Sequence, residues 1–173
     1  GSRELMALAE KSGAILDHVH GDAMMNNTLV LQNKGWIMTT LAELKNRADL
    51  VIFIGTDASS RYPRFFERLI WDQPSLAGLK KNARDIVYIG DGMDTRSGTS
   101  PDGTKPSHIK CNNKEINETV SVIRALLNKV DIQTDSIKPR RLTALKRLCE
   151  RILSAKYGVI VWDAAEFPAS DGD

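Results

Sequence analysis

The sequence predicts an α/β fold: a doubly wound, mainly parallel five-stranded sheet with helices on both faces. Three observations lead there. Leu50–Ile54 and Gly158–Trp162 are short, β-branched and continuously apolar, as strands covered on both faces are. Between such runs lie apolar stripes at helical spacing, with Ile116, Val120, Ile123 and Leu127 at i, i+4, i+7 and i+11. Strands joined by helical crossovers pair in parallel.

In chain order, Leu5, Leu8 and Ala9 begin a helical pattern, and Ala14-Ile15-Leu16 is the first expected strand. A helix starts near Asp22 and stops at Gly35, which follows Asn33-Lys34. Thr40 with Glu43 three residues on forms a capping box that opens a short helix before Asp49. Leu50–Ile54 is the second strand, Ile86-Val87-Tyr88-Ile89 the third and His108-Ile109-Lys110-Cys111 the fourth. A helix over 114–129 follows, then a last helix striped by Leu142, Leu145, Cys149 and Ile152, and Gly158–Trp162 is the fifth strand. Trp36, Met38, Phe65, Phe66 and Trp71 read mostly as core, with Trp36 also suited to an interface.

Composition bounds the function. Of 173 residues, 42% are apolar and 27% charged, enough for a sizeable core and unlike a disordered chain. The longest apolar run falls far short of the roughly 20 residues that cross a bilayer, and no secretory signal opens the chain. With 24 basic against 22 acidic residues, the net charge of +2 does not point to nucleic acid. Two cysteines, Cys111 and Cys149, fit a reducing cytoplasm and leave no set for a disulfide framework or an iron–sulfur cluster within this chain. Gly1-Ser2 reads as a cloning scar, 3–168 as a single domain cut from a longer polypeptide, and 169–173 as a disordered polar tail.

The chemistry is expected in loops at strand ends. Asp17, His18, His20 and Asp22 follow the first expected strand. They suit either part of a divalent-metal site or loop caps, and with His108 the sole other histidine no metal is assigned. Gly55-Thr56-Asp57-Ala58-Ser59-Ser60-Arg61-Tyr62-Pro63-Arg64 follows the second strand. Gly55 allows a sharp turn, Thr56 and Asp57 offer polar recognition, and Arg61 and Arg64 suit a phosphate. Neither Gly-x-Gly-x-x-Gly nor a phosphate-binding Gly-Lys-Ser/Thr loop is present, which argues against a simple NAD site or an ATPase. The segment from Gly90 to Ser107, rich in glycine, proline and hydroxyls, is expected to be structureless and either functional or floppy. If the sheet is as expected, Asp17, Asp57 and Asp91 emerge along one rim, where open α/β sheets bind ligands. The basic last helix, with Lys138, Arg140, Arg141, Lys146, Arg147 and Arg151, suits solvent or an acidic neighbouring subunit.

Four stretches carry a family resemblance: Gly13 to His18, Leu31 to Gly35, Thr39 to Val51 (with Asn46-Arg47-Ala48-Asp49-Leu50-Val51 the most specific), and Gly55-Thr56-Asp57 with Tyr62-Pro63-Arg64. They resemble the B subunit of formylmethanofuran dehydrogenase, and more closely the matching subunit of the formyltransferase/hydrolase complex of methylotrophs. Beyond Arg68 the chain is similar only to the general molybdopterin oxidoreductase pattern. The resemblance implies one Rossmann-like domain of such a B subunit, in a complex handling formyl groups in one-carbon metabolism, with the other subunits as partners. It also implies, as alternatives, a domain holding a tungsten or molybdenum pterin guanine dinucleotide in a redox enzyme, or a generic nucleotide module. Carried over by position, the cofactor-binding candidates are Gly55, Thr56, Asp57, Pro63, Arg64, Gly90, Asp91 and Arg96, and none is assigned catalysis. Thr56-Asp57-Ala58 departs from the Asn-Pro usual in pterin enzymes and sets a carboxylate near a diphosphate, which Arg61 and Arg64 would have to offset.

Overall fold

A computed structural model describes residues 1–16, 21–71, 84–131 and 137–163, except for the side chains of 22, 23 and 26. The chain divides into two compact units, one on Gly1–Trp36 and one on Ile37–Glu166.

In the first unit, α1 (Ser2–Ser12) ends at Gly13, whose left-handed φ of 66° a side chain would strain. α2 (Gly21–Lys34) stops at Gly35 as expected, also left-handed, with its N–H donating to the Leu31 carbonyl at 3.0 Å. α1 buries none of its residues. Ala14, Ile15 and Leu16 form no strand, and Ile15 is 97% exposed. The helix-stopping turn runs straight into them, and among the described residues no neighbouring strand offers them a ladder. An apolar triplet alone does not make a strand.

The second unit is built on a four-stranded parallel sheet: β1 (Leu50–Ile54), β2 (Asp85–Ile89), β3 (Ser107–Ile109) and β4 (Gly158–Trp162), in the order β3-β2-β1-β4. Leu50 aligns with Asp85 on one side and Gly158 on the other. β3 begins at Ser107 and ends before Cys111, one residue earlier at its start than the β-branched run suggests.

Side-chain parity assigns the two faces. Val51 and Phe53 of β1, Ile86 and Tyr88 of β2 and Val159 of β4 share one core cluster with α3 (Leu41–Arg47) and the π-helical turn Phe66–Ile70. Phe53 stacks on Tyr88 at 5.0 Å and meets Phe66 at 5.3 Å. Phe65 and Trp71 pack against that cluster half-buried, whereas Met38, expected in the core, is 75% exposed. On the opposite parity, Leu50, Ile52, Val87 and Ile89 are buried. There α4 (Ile116–Leu127) packs on α5 (Pro139–Ser154), and α5 on β3.

Polar groups fix the ends of these elements. The Thr40–Glu43 capping box forms as expected, Glu43 N–H donating to Thr40 Oγ1 at 3.1 Å and Thr40 N–H to Glu43 Oε2 at 3.2 Å. Asp49 accepts the Lys156 and Tyr157 amides at 2.8 and 2.9 Å, pinning the start of β4 to that of β1. Two cations of the basic last helix turn inward: Arg151 binds Asp85 and Ser107, and Arg141 binds Thr119 and Glu115. Cys111 and Cys149 are buried and free, and burial pushes both thiols up, so they remain protonated at neutral pH. No helix among the described residues is long and apolar enough to cross a membrane.

Candidate functional site

Parallel strands all point their carboxyl ends to one rim, so the loops after β1 and β2 meet there. Asp57 and Asp91, both in the loops that leave these strands, share that rim. Asp17, His18 and His20 lie outside the described residues, as does any test of their metal reading.

Two glycines form the floor. The Gly55 N–H continues the ladder to the Ile89 carbonyl at 2.9 Å, and the Gly90 N–H reaches the Ile109 carbonyl at 3.1 Å. Gly90 has a φ of 132°, and a Cβ there would lie 3.1 Å from Met93 Cε and 3.5 Å from Gly55 Cα. Gly90 is buried and Gly55 half-buried, so the missing side chains let the loops after the two adjacent strands pack closely on one another. His108, on β3, steadies this floor through a 2.7 Å hydrogen bond between its Nε2 and the Gly90 carbonyl.

The β1 loop is held by Asp57, 8% exposed. Its carboxylate accepts the Ser60 N–H at 2.8 Å, the Ser60 hydroxyl at 2.8 Å, the Ser59 hydroxyl at 3.4 Å and, from the β2 loop, the Asp94 N–H at 3.2 Å. Thr56 Oγ1 accepts the Ala58 N–H at 3.1 Å, and Ala58 takes a left-handed φ of 58°, uncommon for a residue with a Cβ. Burial raises the Asp57 pKa, but the hydrogen bonds outweigh it and hold the carboxyl below its usual range. The carboxylate expected to face a ligand is thus turned inward, as a clasp between loops.

The cationic candidates lie on the outside. Arg64, just past Pro63, donates from Nε to Glu67 at 2.9 Å, with 59% of its side chain exposed. Arg96 grips Asp94 in a fork, with distances of 2.9 and 2.6 Å, and its hydrogen bonds draw the Asp94 carboxyl down to about 2. Arg61 bridges to Asp163 at 2.8 Å, joining the loop after β1 to the end of β4. Asp91 is exposed.

The segment from Gly90 to Ser107, expected to be structureless, is ordered by specific bonds, and Ser107 already belongs to β3. Arg96–Gly98 forms a 3-10 turn, the Trp71 indole N–H donates to the Ser97 carbonyl at 2.9 Å, and the Ser100 N–H donates to the Thr104 carbonyl at 2.9 Å. Gly98 is required for close approach: a Cβ there would meet the Tyr88 ring and hydroxyl at 2.7 Å. Tyr88, fully buried beneath it, has no hydrogen-bond partner for its hydroxyl among the described residues. Burial, with Asp57 and Asp94 nearby, pushes its phenol up. Sequence reasoning passed over Tyr88; a lone hydroxyl within a buried β-branched strand was the available signal. Removing that unsatisfied group by Tyr88→Phe is expected to stabilise the fold by about 1 kcal/mol, whereas Gly98→Ala costs about 1–3 kcal/mol, both read from urea unfolding. If Tyr88→Phe destabilised the protein instead, the hydroxyl would have a partner in solution.

No protein-family model matches the chain. It is 26% identical over 152 residues to the B subunit of tungsten-containing formylmethanofuran dehydrogenase 2 from Methanocaldococcus jannaschii, covering 87% of this chain and 34% of that protein. To the protein of the same name from Methanococcus maripaludis it is 28% identical over 131 residues, 75% of this chain and 29% of that one. The chain thus spans about a third of the length of the curated relatives it matches. Among solved structures, it superposes with a TM-score of 0.72 on a chain of the formyltransferase/hydrolase complex (FhcABCD) of Methylorubrum extorquens, solved with methylofuran. That match covers 98% of this chain and 44% of the other, at 22% identity, and it shows a shared fold. The resemblance read from the motif residues therefore extends along most of the chain, which is similar in sequence to about one third of the formylmethanofuran dehydrogenase B subunit.

Proposed function

We propose that this chain is a Rossmann-like domain of a longer B subunit, in a complex that handles formyl groups in one-carbon metabolism together with other subunits. The observation that carries the reading is a parallel sheet whose β1 and β2 loops leave by one rim, in a chain similar to the dehydrogenase B subunits. The order β3-β2-β1-β4 matches half of a doubly wound sheet plus the first strand of its second half, which supports the Rossmann-like reading.

On this reading the rim would hold one arm of a pterin dinucleotide. Gly55 and Thr56, both half-buried, would meet it through backbone and hydroxyl, with the buried Gly90 shaping the rim from beneath, while Pro63 sets the turn that carries Arg64. Arg64 and Arg96 would supply positive charge beside Asp91, and Asp57 positions the loop from behind. A bound tungsten or molybdenum pterin would supply the redox chemistry; these residues would bind and orient it. Catalysis is not assigned to any of them.

A second reading is a scaffold domain that keeps the fold and holds neighbouring subunits. The pairing of Arg61, Arg64 and Arg96 with Asp163, Glu67 and Asp94 favours it, since a phosphate would have to compete with those carboxylates. Metal analysis and pterin extraction on the purified complex separate the two. Tungsten or molybdenum together with a pterin supports the cofactor-holding domain, and their joint absence supports the scaffold. In a cofactor-bearing complex, Arg64→Ala is expected to lower pterin occupancy several-fold while leaving the melting temperature nearly unchanged, because its partner is an exposed i+3 glutamate. Unchanged occupancy would remove Arg64 from the site.

A further inference from the structure

β4 ends the sheet, and its sequence is not that of a protected edge. Natural edges carry lysine, proline, a bulge or a cover, because unpaired backbone invites another strand. Gly158–Trp162 has no charge and no proline, and among the described residues it pairs with β1 alone. Its faces are apolar, and one of them is open, while on the other Val159 is buried and Val161 half-buried. Ile160 and Trp162 are 51% and 45% exposed. Along the strand runs a groove of about 210 Å³, lined by Leu41, Leu44 and Phe65 together with Val159 to Trp162 of β4 itself. Parallel sheets are ordinarily covered on both faces, so an open parallel edge of this composition is incomplete.

From this edge we infer that β4 receives a fifth, parallel strand from the longer polypeptide, its alternate apolar side chains filling the groove on one face and covering Ile160 on the other. The inference rests on the proposal that a longer subunit exists. Two observations select this occupant. The order β3-β2-β1-β4 places β4 where a doubly wound sheet continues into its second half. The matching segment in the curated relatives is also about a third of a longer polypeptide, which has the dozen or more residues that a parallel crossover requires. A second copy related by a two-fold axis would pair β4 antiparallel with itself.

Amide hydrogen exchange, compared between the 173-residue chain and the full subunit in its complex, tests this. The outward-facing amides of residues 158–162 are expected to exchange on the order of 100-fold more slowly in the subunit. Equal exchange in both would overturn the inference. So would light scattering that shows the 173-residue chain dimerising, with the same amides becoming protected as concentration rises. Ile160→Lys gives a second readout: it should leave the melting temperature of the short chain unchanged and lower that of the subunit, and equal effects in both would count against the added strand. Protected β4 amides in a subunit without pterin or metal would uphold the strand and overturn the cofactor reading. Unprotected amides in a cofactor-bearing subunit would do the reverse.

Discussion

Replacing Arg84 by methionine is expected to lower the unfolding free energy by about 3–5 kcal/mol, a large share of a typical domain's stability. Arg84 is 8% exposed and precedes β2. Its Nε donates to the Ala48 carbonyl at 3.1 Å, Nη1 to the carbonyls of Leu69 (2.6 Å) and Ile70, and Nη2 to that of Lys45. Those carbonyls belong to the last turns of α3 and of the π-helical turn Phe66–Ile70, where helices leave acceptors unsatisfied and the backbone dipoles concentrate negative charge. One planar fork therefore closes two helix ends against the start of β2. Burial lowers the Arg84 pKa, yet a guanidinium stays charged, and the carbonyls supply the compensation a buried cation needs. Methionine matches the stem but strands four acceptors. Lysine, a point donor, reaches fewer of them and should recover about half of the loss. Urea unfolding followed by Trp71 fluorescence reads both variants. A loss below about 1 kcal/mol for Arg84→Met would mean that water replaces the fork without penalty.

Arg84 also marks where the sequence stops being legible. The runs Leu50–Ile54 and Gly158–Trp162 announce themselves because hydrophobic burial on both faces is written in consecutive residues. The capping box at Thr40 and the stop at Gly35 are equally local, each needing partners only three or four residues away. Arg84, by contrast, works through carbonyls 14 to 39 residues distant, and carbonyls carry no residue identity. The same holds for the segment after β2. Its glycines and hydroxyls fit a functional loop or a floppy one equally, and the indole of Trp71, 26 residues upstream, orders it. The loops at the strand ends are legible because turn chemistry is local, whereas the candidate residues on them are what the family resemblance implies. That Asp57 faces inward was not legible, since its fourth donor, the Asp94 amide, lies 37 residues away. Ala14-Ile15-Leu16 shows the converse: a local β signal fails where no neighbouring strand is available to pair.

Asp57→Ala is expected to cost about 2–4 kcal/mol at neutral pH, because one buried carboxylate collects two amides and two hydroxyls, and hydrogen bonds to a charged group are each worth about 1.5–3 kcal/mol. The effect depends on pH with a fixed sign. Burial disfavours the anion, the hydrogen bonds more than offset it, and the folded pKa lies below the unfolded value of 3.8. A depressed carboxylate contributes stability that is fully present above the unfolded pKa and is lost as pH falls through the folded one. Wild type should therefore lose this stability below about pH 4, and the gap between wild type and Asp57→Ala should narrow there. Thermal unfolding of both proteins at about pH 7 and about pH 3 measures it; a gap of equal size at the two values would show that the clasp does not depend on the carboxylate's charge. Asp57→Asn keeps the shape but presents an amide NH₂ to donors on one side, so it should recover only part of the loss. The consequence for the rim is separable from stability. Cutting the bond to the Asp94 amide unties the β2 loop from the β1 loop, so hydrogen exchange of that amide should accelerate in Asp57→Ala under conditions where the β1 and β2 strand amides stay protected. Two loops that move independently cannot hold Gly55, Arg64 and Arg96 in one arrangement. Were the full subunit to carry a pterin, a drop in its occupancy that tracks faster exchange of the Asp94 amide, with the strands intact, would support a positioning role for Asp57.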